Sequence, residues 1–354
     1  MNSSVQNERL VGPDEVILVT GASGFIGTRV VQRLLDMGFR NIRCMVRPSS
    51  EGKLKKALGP DADRVSIFRG NLLSREDCQA LAKDAVSVIH LAAGRGEKSY
   101  PDAFMNTAIT TRNLLDACVT HSVCRRFVNI SSFAVYANGS KSTGRLLDET
   151  CPLETHPDAR GEAYCFAKTK QEQVVAEYRD RHGLSVITLR PGVVYGPGNL
   201  AISGRVGIDT FGVFLHLGGS NQIPLTYVEN CAEAIALSAI RPIEGSEEFN
   251  VVDDDLPSSR QFLRRYKKQV KRFRSLYLPK PASFAFCYLW ERYSSWSHGQ
   301  LPSAFNRNRW NSLWRKTEYS NAKLKQRLGW HPLVSTEEGL RRYFAACRGE
   351  KIHA

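Results

Sequence analysis

The stretch Glu15–Gly38, EVILVTGASGFIGTRVVQRLLDMG, limits the fold more than any other part of the chain. EVILVT has the length and apolar character of a strand buried on both faces. It runs into Gly21, Gly24 and Gly27, set three residues apart. Ile26, Val30, Val31, Leu34 and Leu35 then recur at helical spacing, and Gly38 stops the helix. Strand, glycine turn and helix in this order bring the backbone close to a pyrophosphate and the helix close to the sheet. The helix N-terminus turns free N–H groups and a positive dipole end toward the phosphates. The segment predicted to hold a dinucleotide is Gly21, Ser23, Gly24, Phe25, Ile26 and Gly27. There is no G-x-x-x-x-G-K-[ST], so a nucleoside triphosphatase is not supported.

Further strands are predicted at Asn41–Arg47, Arg64–Gly70, Val86–Ala93, Arg125–Ser132 and Leu184–Gly192, with helical patterns between them. This alternation predicts an α/β fold, a Rossmann-type doubly wound parallel sheet. After about Pro197 the rhythm breaks into glycine-rich, irregular sequence, and all five tryptophans lie in the last quarter. The predicted organisation is a flexible N-terminus (1–13), a dinucleotide-binding domain carrying the catalytic residues (14–196), a smaller, partly helical substrate lobe that returns in part to the sheet (197–345), and a tail (346–354).

At the end of the second strand, a carboxylate would bind the ribose hydroxyls of NAD. Here stands Arg47, with no acid before Glu51. A guanidinium favours a 2′-phosphate, so NADP(H) is preferred over NAD(H).

AYCFAKTK sets Tyr164 and Lys168 four residues apart, on one face of a helix. An ammonium near a phenol favours the phenolate and makes tyrosine a usable acid or base. Tyr319 and Lys323 repeat the spacing, but no serine-bearing strand precedes them, so they are read as a coincidence with the lysine on a surface helix.

Together these segments resemble the extended short-chain dehydrogenase/reductase family, also called the NAD-dependent epimerase/dehydratase family, over nearly the whole chain. RGNLL, HLAA, VNISSFAVYA, LRPGVVYGPGN and LGWHPLVSTEEGL resemble its other motifs. The resemblance implies Tyr164 as general acid/base, Lys168 on the ribose and lowering the tyrosine pKa, and Ser132 on the substrate oxygen with Ser131 as the fallback. It puts Asn106 at the family's helix-asparagine position. It places Asn71 and Leu72 near the adenine, Leu91, Ala92 and Ala93 along the cofactor, and Pro191, Val193 and Val194 beside the nicotinamide.

Phe133 and Ala134 follow Ser132 where sugar dehydratases of the family carry an acidic pair, which argues against dehydration. Ile223 stands where nucleotide-sugar epimerases place a diphosphate-gripping arginine, although Arg205 could substitute. LTYVEN and the aromatic late segment resemble the 3β-hydroxysteroid dehydrogenase-like branch. The expected function is hydride transfer between the nicotinamide and a secondary alcohol or ketone of an apolar, steroid- or lipid-like substrate. The alternatives are a nucleotide-sugar 4-epimerase with tightly bound NAD, and a non-catalytic NADP-binding sensor.

The net charge of +14 on 354 residues is uneven: Arg260–Lys280 holds nine Lys or Arg and no acid. Phe262, Tyr266, Val270, Phe273 and Tyr277 follow a serine cap at helical spacing. Two readings stand: a docked helix with a solvated basic face, or a basic patch beside an aromatic lid resting on an anionic membrane. A complete redox site argues against nucleic acid, and a homodimer is left open. The nine scattered cysteines form no C-x-x-C and are read as reduced thiols without disulfides or metal. No 18-residue apolar run occurs, and the polar first residues, with Glu8 and Arg9, do not read as a signal peptide. A cytoplasmic chain, peripheral at most, is expected.

Overall fold

Every residue of Val16–Thr20, Arg126–Ile130 and Val186–Pro191 is buried, the pattern of strands covered on both faces. They belong to a seven-stranded parallel sheet in the computed structural model, which describes residues 9–94, 99–137, 146–210, 212–297 and 305–350. In chain order the strands are β1 (Val16–Thr20), β2 (Ile42–Val46), β3 (Ser66–Arg69), β4 (Ala85–His90), β5 (Arg126–Ile130), β6 (Val186–Pro191) and β7 (Glu247–Val251). In space they run β7-β6-β5-β4-β1-β2-β3. Each predicted strand is present within a few residues of its expected bounds. The order reverses between β1 and β4, so a crevice opens at their carboxyl ends, where doubly wound sheets bind ligands.

Helices α1 (Phe25–Asp36) and α4 (Val228–Ile240) cover one face. Val30, Val31, Leu34 and Ile235 pack there with Ile17, Val19 and Val128. On the other face α2 (Thr110–His121) and α3 (Ala163–His182) bring Leu114, Leu115, Val174 and Val175 onto Leu18, Val88 and Phe127. A π turn, Met105–Ile109, leads into α2.

The C-terminal lobe holds α5 (Ser259–Gln269), α6 (Lys280–Trp296), α7 (Arg307–Trp314), α8 (Thr336–Cys347) and a small sheet of Gly207–Thr210, Val213–His216 and Ser275–Tyr277. Ser258 caps α5 in a reciprocal box with Gln261. Phe262 and Leu263 are buried, in one cluster with Tyr343 and Phe344 of α8. The basic helix is thus docked on the lobe, but it is shorter than its apolar spacing predicts. It ends at Gln269, and Ser275–Tyr277 instead forms a strand parallel to Val213–His216. Phe273 packs on Phe214, with ring centroids 5.4 Å apart. Pairing with an open sheet edge satisfies backbone groups that a longer exposed helix would gain little by satisfying internally.

Residues 1–8 of the predicted flexible N-terminus lie outside the described residues, whereas residues 9–13 are held. Val11 is fully buried, and the Leu10 N–H donates to the Ile240 carbonyl at 2.8 Å. The far part of the chain also returns to the core: Trp330 is fully buried in the cluster that contains Ile17 and Val128.

Candidate active site

Gly21 follows β1 directly and Leu91–Gly94 follows β4, so the two segments lie side by side in the crevice. Gly21 has φ +69°, and a Cβ there would stand 2.9 Å from the Ala92 nitrogen. A Cβ on Gly27 would collide with the Gly21 carbonyl oxygen, so the glycines let α1 seat against the turn. The start of α1 has no side-chain cap and no acid in its first turn. Its first N–H groups therefore remain available to an anion, and the residues fit a dinucleotide pyrophosphate. The Phe25 ring lies against Gly198 in the loop after Val193–Tyr195, which brings the Pro191–Val194 segment over the same crevice.

Arg47 is exposed at the end of β2. Glu51, the acid nearest to it in sequence, is engaged by Arg69 and Lys55. The Asn71 side-chain oxygen accepts the Leu73 N–H at 3.0 Å and shapes the turn after β3. The Asn113 amide of α2 holds that turn through the carbonyls of Leu72 and Leu73, at 3.0 and 3.3 Å.

Ser132 and Tyr164 meet. The Ser132 hydroxyl accepts the Ala134 N–H at 3.2 Å and stands near enough to the Tyr164 phenol to favour its anion. Burial raises the phenol above its ordinary pKa, and Ser132 pulls the other way. The Tyr164 side chain is partly covered and lines the cavity described below. Ser131 lies next in sequence, but its buried hydroxyl meets neither Tyr164 nor any other partner.

Lys168 is buried on the same helix, yet its ammonium is not what tunes Tyr164 in this conformation. Its Nζ donates to the Ile130 carbonyl at 2.6 Å and to Gln171 Oε1 at 2.9 Å. Burial brings it down to about 8, with Glu172 opposing. Two of its three protons are placed by these bonds, leaving one for a ligand.

A cavity of about 450 Å³ opens over Ser132 and Tyr164, and Gly192 and Val193 form part of its wall. Its rim is more polar than an apolar substrate alone predicts, with Arg160, Arg205 and Arg309. Arg160 is spent internally, donating to the carbonyls of Ala134 and Tyr136 and to Glu162 and Ser312. Arg205 donates through Nη1 to the Ser312 carbonyl and the Tyr319 hydroxyl, at 3.0 and 3.1 Å. Tyr319 thus braces the cavity wall and stacks on Phe133, although Lys323 points elsewhere and pairs with Glu247. A second cavity, of about 420 Å³, lies between α3 and the β6–β7 edge and touches neither Ser132 nor Tyr164, so it is set apart from this chemistry.

A family model described as the NAD dependent epimerase/dehydratase family matches residues 17–251. The chain belongs to that family. It is an enzyme of the extended short-chain dehydrogenase/reductase type. It is 25% identical to the 3beta-hydroxysteroid-dehydrogenase/decarboxylase isoform 1 of Arabidopsis thaliana, over 92% of this chain and 78% of that protein. It is 31% identical to cinnamoyl-CoA reductase 1 of Oryza sativa subsp. japonica, over 52% of this chain and 55% of that one, about half of each. Its fold is similar to that of the Thermus thermophilus UDP-glucose 4-epimerase in complex with NAD, with a TM-score of 0.67 at 22% identity over 94% of this chain and 99% of that one.

Within this family frame, a buried polar chain reaches Lys168 that its residue spacing does not announce. The hydrogens can be assigned one by one. Lys168 donates to Gln171 Oε1, so Gln171 Nε2 donates to Thr111 Oγ1, at 3.0 Å. Thr111 gives its single proton to the Thr107 carbonyl at 2.6 Å, so it accepts from His90 Nε2 at 2.9 Å. His90 is fully buried and held down to about 3, chiefly by burial, and is therefore neutral. Its Nδ1 accepts from Thr20 Oγ1 at 2.8 Å. Thr20 accepts in turn from the Ala92 N–H at 3.4 Å. The residue before the glycine turn, the segment after β4 and Lys168 are thereby tied together.

Asn106 stands apart from this chain. It lies on the π turn, and its amide donates back to Asp102, to the carbonyl at 3.0 Å and the carboxylate at 3.2 Å. Thr107 takes the contact with the segment after β4 instead, accepting the Gly94 N–H at 2.9 Å. The run NTAITT is the signal for these threonines, because helical threonines commonly turn their hydroxyls to carbonyls three or four residues back.

Proposed function

We propose that the protein is an NAD(P)-dependent oxidoreductase that moves a hydride between the nicotinamide and a secondary alcohol or ketone of a largely apolar substrate. The observation that supports it best is that Ser132 and Tyr164 line one 450 Å³ cavity together with Gly192 and Val193. A bound nicotinamide cofactor supplies the hydride chemistry. Ser132 holds the substrate oxygen, Tyr164 exchanges the proton at that oxygen, and Lys168 offers its remaining N–H to the ribose. The arginine rim favours a substrate that carries an anionic group beside its apolar body. Similarity to a hydroxysteroid dehydrogenase/decarboxylase and to a cinnamoyl-CoA reductase supports the same reading.

Arg47 at the end of β2, with Glu51 engaged elsewhere, supports NADP(H) as the preferred cofactor. Arg47→Asp is expected to weaken NADPH binding, measured by fluorescence titration, more than NADH binding. Equal losses would remove Arg47 from cofactor choice.

The test of the main reading is turnover with NADPH or NAD+ on a panel of sterol, lipid and aromatic ketones and alcohols. Tyr164→Phe should abolish turnover and leave cofactor binding intact. Unchanged turnover in that variant would take Tyr164 out of the mechanism, and Tyr164-dependent turnover of any substrate would exclude a non-catalytic sensor.

Arg205 supports a second reading, a nucleotide-sugar 4-epimerase. Its half-buried guanidinium faces the cavity while Ile223 is buried in the lobe core. That reading requires NAD retained through purification and interconversion of UDP-sugars.

A further inference from the structure

Helix α6 buries a face of small residues and leaves an apolar stripe open. Ser283, Cys287 and Ser294 face the protein and are buried. The Trp310 indole of α7 donates to Ser283 Oγ at 2.9 Å, and its ring meets Phe284 at 5.1 Å. On another face Phe286, Leu289, Tyr293 and Trp296 follow at spacings of three, four and three, which aligns them along the helix. They are 46, 65, 51 and 75% exposed. Residues 276–296 hold eight of the fourteen exposed large apolar side chains among the described residues. Single exposed apolar residues are ordinary, but a clustered set of this kind marks a binding surface.

The segment that leads into this helix is cationic, and of its basic residues Arg265 pairs with Glu337. Arg264, Lys268, Lys271, Arg272 and Arg274 are exposed, and none meets an acidic side chain among the described residues. Elsewhere the basic residues are widely paired, as in Arg40–Asp14, Arg112–Glu177 and Arg307–Glu291.

We infer that the outer stripe of α6, with the adjoining basic segment, docks the protein on an anionic lipid surface. Tyrosine and tryptophan suit the headgroup region, where an apolar ring and a polar tip are both accommodated. The unpaired cations complement anionic headgroups. A second copy of the chain would bring like charges together, which disfavours it as the occupant. No helix among the described residues is long and apolar enough to cross a membrane, so α6 would lie along the surface. Beneath α6, α7 supplies Arg309, Ser312 and Leu313 to the cavity wall, which places the candidate site one helix layer from the lipid. Docking does not depend on the proposed reaction, and turnover of a water-soluble substrate reports on the reaction alone.

The test is flotation of the full chain with phosphatidylcholine vesicles, with and without phosphatidylglycerol, at low and high salt. Binding is expected only with phosphatidylglycerol, and weaker in high salt. Charge reversals Lys268→Glu, Lys271→Glu and Arg272→Glu should each lower partitioning about fivefold or more, the equivalent of about 1 kcal/mol per basic residue. Leu289→Glu and Trp296→Ser, both at exposed positions, should each weaken binding at either salt while the near-ultraviolet dichroism stays unchanged. No binding to the anionic vesicles at low salt overturns the inference. Binding that neither stripe variant weakens overturns the role of α6. A dimer in sedimentation that Leu289→Glu dissociates would assign the stripe to self-association instead.

Discussion

Gln171 holds the ammonium of Lys168 through one carbonyl oxygen, and this makes it a positioning residue whose effect can be read as a titration. With Lys168 held near 8, its charge is lost through mildly alkaline pH. Gln171→Leu removes an acceptor that stabilises the charged form, so the alkaline limb of kcat/KM should move to lower pH. Gln171→Glu places a negative charge at the same distance, so the limb should move to higher pH. A hydrogen bond to a charged group contributes about 1.5–3 kcal/mol, so each shift should be about one pH unit or more. Two variants moving the limb the same way, or not at all, would leave Gln171 with a packing role only. The contrast with Tyr164 is instructive. Its i,i+4 relation to Lys168 is legible from the sequence, yet in this conformation Ser132 is the group that favours its anion.

At the scale of elements, α3 and β6 are joined by an ion pair on which the site depends. Arg190 of β6 donates to both oxygens of Glu172, through Nε at 2.9 Å and Nη2 at 2.7 Å, and both side chains are nearly inaccessible. Arg190 also donates to the Tyr136 hydroxyl at 3.2 Å. Glu172→Gln leaves a buried guanidinium without its counter-charge. It should cost about 3–5 kcal/mol in chemical denaturation, whereas a loss below about 1 kcal/mol would mean that the pair is solvent-screened. The first six strands, the glycine turn and the first turns of α1 and α3 were all readable from local spacing, because period and turn chemistry act within a few residues. The end of α5 at Gln269, the π turn around Asn106 and the His90–Thr111–Gln171 chain were not. Each involves contacts outside its own segment: an open strand edge, the Gly94 N–H that Thr107 of the π turn accepts, or a row of hydroxyls that packing brings together. Tyr319 is the same lesson in reverse, since its chance spacing to Lys323 carries no meaning and tertiary contact with Phe133 and Arg205 makes it a brace behind the cavity wall.

In the molecule as a whole, distant parts of the sequence meet around Asn230. Its amide donates to Asp253 at 2.9 Å and to the Val334 carbonyl at 2.8 Å, its side-chain oxygen accepts the Val334 N–H, and its carbonyl accepts from the Trp330 indole. Asp253 also accepts the Tyr227 N–H at 2.8 Å, and burial lifts its carboxyl from 3.8 to about 7. Between those values the folded chain keeps a proton that the unfolded chain has lost, so stability falls as pH rises from about 4 to about 7. Asp253→Asn should flatten that slope, measured by urea denaturation at several pH values across the window, and an unchanged slope would assign it to other groups. The burial of Trp330 among residues of the first strand has a consequence for synthesis. A chain emerging from the ribosome has all seven strands by Val251, but the core beside them is not filled until Trp330, which follows the last residue of β1, Thr20, by 310 positions. Until then the glycine turn and Tyr164 are already present over a core that still lacks one of its largest buried side chains.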